Sequence, residues 1–406
     1  MAIELSSLTF TDQADIVPVS GVEKIFNTGI TNTLAGNDII TGDSGNNSST
    51  SPNRFSGVTN TGTLNTDGGN DILTGIFNDQ NLNFFLGFGI DNQGGTIHTG
   101  DGNDTITGLV QINRRSFGIY YERGGTIDTG GGNDIITGIS PRGGGISGRN
   151  GTINTGTGND TITGTTSVGT AIFFGDNGSL DTGDGDDVIT GTTLISGPGI
   201  TNFSAYFNTG TGNDIITGHY SGEESSMGID NAGPMNTGDG NDIITGTSTG
   251  NSVGILNTDR FIPGTDPIID TGDGDDIITG VGTIGIHNTG IINTGNGKDS
   301  IIADGGFSGT GSVFLGNGKD YLKGSGRGVF NGGNGQDTLE LTAGTYTIEI
   351  VGTAVNFIQT NAPFSPFEEF LNGTAIMITS DFEILKAGNI TYGIPSLNNG
   401  QTIFVS

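Results

Sequence analysis

The chain has no cysteine and no tryptophan, and only 13 lysines and arginines stand against 43 aspartates and glutamates. Absence of cysteine excludes a disulfide scaffold and a thiolate metal centre. Scarcity of bases excludes nucleic acid as a partner, because no positive stripe exists to displace phosphate counterions. The formal net charge of -30 argues equally against an anionic membrane surface. No apolar run approaches the ~18–20 residues that a membrane span needs. Residues 1–20 lack a basic start, an apolar run and a small-residue cleavage site, so no ordinary signal peptide is expected.

Glycine is what the chain has in excess, with 78 of 406 residues. Without a G-x-y period this excludes collagen and points to frequent tight turns, where glycine adopts positive φ at no steric cost. The acids are spread between aliphatic pairs instead of standing in blocks, so they are not a disordered tail.

A ten-residue phrase recurs twelve times, beginning at Thr33, Thr66, Thr99, Thr129, Thr155, Thr182, Thr209, Thr237, Thr271, Thr294, Leu315 and Gly332. Position six is aspartate throughout: Asp38, Asp71, Asp104, Asp134, Asp160, Asp187, Asp214, Asp242, Asp276, Asp299, Asp320 and Asp337. Position four is always glycine, position eight always Ile or Leu, and position two is glycine in all but Leu34 and Asp67. Successive aspartates lie 17 to 34 residues apart, which means one phrase per solenoid turn with insertions elsewhere in the coil. An apolar residue precedes most phrases by two positions, as in Ile97, Ile127, Ile153, Leu180 and Phe207. A Gly-Ile pair often stands further upstream, as at Gly89-Ile90, Gly118-Ile119 and Gly145-Ile146. Each turn thus offers up to three short strands, none able to fold alone, whose aliphatics stack as interior columns.

In-register stacking brings the position-six carboxylates about 5 Å apart, where two charges repel by ~1 kcal/mol in water and ~3 kcal/mol at an effective dielectric of 20. Bases are too few to lie between them, whereas a hard cation that takes six to eight oxygen ligands fits. The expected ligands are the twelve aspartates together with backbone at positions two and four. These are Gly100, Gly102, Gly130, Gly132, Gly156, Gly158, Gly183, Gly185, Gly210 and Gly212 in the earlier copies. In the later copies they are Gly238, Gly240, Gly272, Gly274, Gly295, Gly297, Gly316, Gly318, Gly333 and Gly335. Glycine there lets the turn aim successive carbonyls inward. Twelve turns give about ten or eleven Ca2+ sites per chain, enough to neutralise most of the charge.

The phrase, for example Thr129-Gly-Gly-Gly-Asn-Asp-Ile-Ile-Thr137, resembles the hemolysin-type, repeats-in-toxin nonapeptide G-G-x-G-x-D-x-U-x. The likeness runs through all twelve copies. Position one departs from it, being threonine and not glycine in most copies. A second departure is one phrase per turn, which implies a single calcium ladder where the family has two. Leu34 and Asp67 mark the first two copies as weak sites or a cap. The resemblance implies an all-β, right-handed parallel β-solenoid (β-roll or β-helix) over residues 31–341. A small N-terminal cap covers 1–30, with Val22 to Phe26 as a plug. A β-rich C-terminal cap covers 342–406, with an aromatic stretch at Phe364 to Leu371, and looks like an uncleaved secretion signal. It further implies folding on calcium binding, a secreted or cell-surface location and a type I route.

Positions seven and nine should point outward, opposite the buried position eight, giving a flat β-branched face with Thr41, Thr74, Thr107, Thr137 and Thr163 in one line. Such a face admits lateral self-association or ice binding, and certain calcium-ladder ice-binding adhesin domains are similar in their G-T-G-N-D phrases. Position five reads as solvated. Enzyme signals are poor. The histidines His98, His219 and His287 are isolated, and Gly250-Asn-Ser-Val-Gly254 lacks a strand–helix context for a nucleophile elbow. Acidic pairs such as Asp186-Asp187 and Asp275-Asp276 belong to the phrase and read as metal ligands before a glycosidase dyad. The expectation is a calcium-binding structural or surface protein and not an enzyme. The alternative is a polysaccharide-binding or polysaccharide-acting β-helix protein with a glycan partner. Its only aromatic candidates, Tyr120, Tyr121, Phe173, Phe174, Tyr206 and Phe207, share no single repeat position in this reading.

Overall fold

The computed structural model describes residues 2–18, 23–45, 54–79, 86–112, 114–259, 267–360 and 374–406. Val22 and the stretch Phe364 to Leu371 lie outside them. Two compact units divide the chain, Met1–Thr211 with Thr217–Gly222, and Gly212–Ile216 with Glu223–Ser406. Among the described residues there is no α-helix, and each unit is a parallel β-solenoid.

One turn of the first unit illustrates the build. The phrase at Thr99 leads into strand Thr105–Val110, then Arg115–Glu122, then Thr126–Asp128, after which the next phrase begins. Each strand pairs in register with its counterpart one turn on. Ile106 lies beside Ile136, Ile119 beside Ile146, and Ile127 beside Ile153. All six are fully buried. Burying each such side chain contributes about 1.5–3 kcal/mol, and every turn adds three. The second unit repeats the arrangement at Ile244–Ile278, Ile255–Ile286 and Ile269–Ile292. There the middle strand shrinks to Phe307–Ser308 and then to a single bridge at Gly326, as the shortening spacing requires.

Close backbone approach explains the Gly-Ile pairs. A Cβ on Gly118 would sit 2.7 Å from the carbonyl oxygen of Gly108 and 2.3 Å from the Ile139 nitrogen, and one on Gly145 would sit 2.5 Å from the carbonyl oxygen of Gly138. The first and second strands of a turn therefore touch backbone to backbone, and the isoleucine after each glycine fills the space beside them.

The middle strands also carry polar interior columns that the aliphatic pattern does not announce. Buried Asn27 donates its amide to Asn60 at 2.8 Å, and Asn60 to Asn92 at 2.9 Å. In the second unit Asn231 donates to Asn257 and Asn257 to Asn288, both at 2.8 Å. Translation by one rung places donor on acceptor, so each buried amide is satisfied by its own copy.

Positions seven and nine face outward and are partly exposed beside a buried position eight. In strand Ile39–Asp43 the pattern alternates from half-buried Ile39 to buried Ile40 to half-buried Thr41. The C-terminal segment adds antiparallel strands Gly344–Val351, Ala354–Thr360 and Thr402–Val405. Strand Thr374–Ser380 meets this antiparallel group on one side and Gly328–Asn331 in parallel on the other.

Candidate metal centre

All twelve position-six aspartates are buried, each at most 2 % exposed. The buried Ile or Leu two residues later points the same way along the strand, so alternation turns both side chains inward. One carboxylate oxygen has a repeated partner. The N–H of Asp71 donates to Oδ1 of Asp104 at 2.7 Å, and that of Asp104 to Oδ1 of Asp134 at 2.7 Å. In the second unit Asp242 donates to Asp276 at 2.8 Å and Asp276 to Asp299 at 2.9 Å. Within each unit these aspartates thus tie successive rungs together.

The other oxygen is different. Oδ2 of Asp71, Asp104, Asp134 and Asp160 has no hydrogen-bond partner among the described residues. The same holds for Asp242, Asp276, Asp299, Asp320 and Asp337. Where the phrase begins with threonine, its hydroxyl lies beside the carboxylate and donates to a carbonyl of the next rung, as Thr66 does to Thr99 at 3.1 Å and Thr155 to Thr182 at 3.2 Å, whereas in the first copy Thr33 donates to Oδ2 of Asp38. A buried, unsatisfied acceptor costs about 1–3 kcal/mol, and more if charged. Burial accordingly pushes Asp71, Asp134, Asp160 and Asp320 up to about 6, and Asp242 and Asp299 up to about 7. Asp104, Asp276 and Asp337 are raised for the same reason. The nearby phrase threonine and the N–H of the preceding rung oppose the shift without cancelling it, and neighbouring carboxylates reinforce it at Asp242 and Asp299.

The glycines stand where the turn needs them. Gly100 and Gly102 have φ of 95° and 149°, and Gly272 and Gly274 have 81° and 155°. A Cβ on Gly100 would lie 1.4 Å from the Asp67 carbonyl oxygen, and one on Gly102 1.7 Å from that of Gly69. Carbonyls at positions two and four therefore point along the coil at the glycine of the next rung. Both departures at position two keep the same turn, Leu34 with φ of 68° and Asp67 with 60°. Aspartate tolerates this left-handed region better than leucine.

Among the described residues no three His, Cys, Asp or Glu side chains converge. Adjacent rungs bring at most two of these carboxylates together, so further ligands for an ion would have to be backbone carbonyls. A carboxylate oxygen buried without a partner is a donor that suits a hard divalent cation. The residues present fit calcium on that ground.

Two residues outside the phrase pattern join the hydrogen-bonded columns. The N–H of Asp15 donates to Oδ1 of Asp38 at 2.8 Å, and Ile16–Val17 pair with Ile39–Ile40. At the other end the Asp337 N–H donates to Oε2 of Glu383 at 2.7 Å, and Ile384–Leu385 pair with Thr338–Leu339. Asp15 and Glu383 thus stand one rung beyond the phrases of their units, Asp15 joined through its N–H while its carboxylate accepts from the Thr11 N–H at 2.8 Å, and Glu383 joined through its carboxylate. Their signal is the acid followed by two aliphatics, Asp15-Ile16-Val17 and Glu383-Ile384-Leu385, without the glycines.

Position five is exposed, yet it is more than solvated. Asn70 Oδ1 accepts the Asn103 N–H at 2.8 Å, and Asn103 Oδ1 that of Asn133 at 2.7 Å. The expectation about the aromatics also changes. Register places Tyr120, Ser147 and Phe173 in one column and Tyr121, Gly148 and Phe174 in the next, so four of the six fall on two shared repeat positions. Ser252 of the elbow-like segment is buried and donates to the Glu224 carbonyl at 3.2 Å.

No protein-family model matches the chain, and no curated protein does either. Among solved structures, the chain is similar to a hyperactive, Ca2+-dependent, β-helical antifreeze protein from an Antarctic bacterium. Identity is 18%, the match covers 98% of this chain and 99% of that one, and the TM-score is 0.46. Fold and site together define a parallel β-solenoid with a buried column of aspartates. No helix among the described residues is long and apolar enough to cross a membrane.

Proposed function

We propose that this is a calcium-binding structural or surface protein, not an enzyme, whose solenoid folds when Ca2+ enters between successive turns. One observation carries the reading: within each unit a column of buried carboxylates has one oxygen bonded to the neighbouring rung and, in nine aspartates altogether, the second left without a partner. Aspartates of adjacent rungs, with carbonyls from positions two and four, would hold the ions. When bound, calcium supplies positive charge where the chain has none. Around it the chain's own residues do the rest. The N–H of the preceding rung fixes the carboxylate, the stacked aliphatics exclude water, and the glycines bring carbonyls within reach. Extracellular calcium is abundant and cytosolic calcium scarce, so such a chain would fold after export, in keeping with the repeats-in-toxin resemblance and its type I route.

Five adjacent pairs of position-six aspartates lie within each unit. Calorimetric titration should therefore read about ten ions per chain, accompanied by a coil-to-β change in circular dichroism. Binding of only one or two ions, or an unchanged β spectrum in chelator, would sink the proposal.

A second reading rests on the outward columns. Thr107, Thr137, Thr163 and Thr190 stand in register on adjacent rungs, beside Thr105, Ile135, Thr161 and Val188. A flat, regular array of hydroxyls and methyls suits an ordered water lattice such as ice. Thermal hysteresis in calcium, abolished by Thr163→Lys with the fold intact, would support it. No ice affinity in the folded protein would remove it.

A further inference from the structure

We propose that a cleft on the middle strands of the first unit binds an acidic oligosaccharide, a sulfated or uronic-acid sugar chain. This goes beyond the calcium reading and uses none of its residues.

The cleft has a volume of about 690 Å³, in the range of small-molecule sites, and its lining sets Arg115, Arg142 and Arg149 against one carboxylate, Glu122, beside the rings of Tyr120 and Phe173. Its charge is anomalous. The chain carries -30 overall, yet five of its thirteen bases, Arg114, Arg115, Arg123, Arg142 and Arg149, fall between residues 114 and 149. Arg115 and Arg142 are register partners on adjacent rungs, so two exposed guanidinium groups stand in one column about 4.8 Å apart in backbone. Like charges so placed destabilise a sheet. Neither has a carboxylate within ion-pair distance among the described residues, although acids outnumber bases threefold. An anion placed between them would relieve the repulsion and be held by forked, bidentate hydrogen bonds.

The aromatic side of the cleft is built, not incidental. Phe88 and Phe117 stack on adjacent rungs with centroids 6.1 Å apart and planes 12° from parallel. Tyr120 leans on both, at 4.9 Å and 5.1 Å, which fixes its tilt. Two rungs from Tyr120, Phe173 stands in the same column with small Ser147 between them. The Arg149 guanidinium lies 5.3 Å over the Phe173 ring and pairs with Asp176 at 3.2 Å. Tyr120 and Phe173 are half-buried, so part of each ring stays open. Their spacing of roughly 10 Å along the coil is the length of a disaccharide. Open aromatic faces attract the C–H face of a pyranose through their negative quadrupole. Guanidinium groups beside them read carboxylate or sulfate on that same sugar. An acidic peptide would satisfy the arginines but has no flat C–H face to place on the rings, so the aromatic half of the cleft favours the sugar.

The test is calorimetric titration of the full chain in saturating calcium with short chondroitin sulfate oligomers. Cello-oligosaccharide and oligoglutamate are the comparisons. Binding of the sulfated sugar is expected, weakened by salt and by roughly tenfold for each arginine removed in Arg115→Gln and Arg142→Gln. Phe173→Ala should weaken it as well, while Arg327→Gln in the second unit should leave it unchanged. Circular dichroism confirms that each variant folds, and Arg142→Lys serves if Arg142→Gln does not. No binding by the wild type, equal binding of oligoglutamate, equal binding of the neutral sugar, or affinity indifferent to both arginines would each overturn the proposal. The last result would mean that calcium alone bridges two acidic molecules.

Discussion

Removing calcium should make this protein acid-stabilised, opposite to the usual behaviour of paired carboxylates. Burial raises six position-six aspartates to about 6 or 7 in the folded chain, namely Asp71, Asp134, Asp160, Asp320, Asp242 and Asp299. An unfolded aspartate titrates near 3.9. A raised folded value means that the folded state binds more protons than the unfolded state between those limits. The stability is fully present below about 4 and lost as pH rises through 6 to 7. From pH 8 down to pH 5, each carboxylate at about 6 returns roughly 1.4 kcal/mol and each at about 7 roughly 2.7 kcal/mol. Over the six groups this is on the order of 10 kcal/mol, comparable to the whole stability of an ordinary domain. In chelator the chain should therefore be unfolded or weakly folded at pH 8 and recover β structure at pH 5. With calcium at pH 8 it should be folded, and the calcium effect should fade at pH 5, because protons occupy the ligands. Thermal melts by circular dichroism in a two-by-two design of pH and chelator read this directly. General charge repulsion is separated by Asp160→Asn, which keeps the Oδ1 acceptor but cannot ionise. It should raise the melting temperature in chelator at pH 8 and lower it in calcium. A melting temperature in chelator that is flat or rising from pH 5 to pH 8 would refute the reasoning.

Further outcomes follow from single contacts. Gly102→Ala puts a Cβ on the Gly69 carbonyl at a φ of 149°, and should cost more than about 3 kcal/mol in urea denaturation, well above an ordinary surface change. Glu383→Ala removes the acceptor of the Asp337 N–H; a loss of about 1–3 kcal/mol is expected, with faster hydrogen exchange at Asp337 and none at Asp71. Tyr121 is buried with its hydroxyl lacking a partner among the described residues, so Tyr121→Phe should stabilise the protein by roughly 1 kcal/mol, measured as a higher denaturation midpoint.

Periodicity made most of the architecture legible before any coordinates. A fixed phrase with Asp at position six and Ile or Leu at position eight can satisfy burial only if copies stack, and the three apolar columns at Ile106, Ile119 and Ile127 fall where that stacking puts them. The outward position nine followed from strand alternation alone. Three features did not follow. Asp15 and Glu383 lack the glycines that mark a phrase, so only their hydrogen bonds to Asp38 and from Asp337 reveal them as rungs. Asparagines such as Asn60 and Asn257 look like loop residues until register sets amide on amide. Tyr120 and Phe173 seemed unrelated because insertions of different length separate them from their phrases, and only strand pairing counts out the common column.

The division has a physical basis. Sequence by itself determined the repeat unit, which residues turn inward and the excess of buried acid, because these depend on local alternation and on translation from one copy to the next. Tertiary structure decided which oxygen of nine of these aspartates is bonded and which is left open, and how arginines and rings from different turns gather in one cleft. Those outcomes depend on lateral register across insertions, which no local spacing encodes.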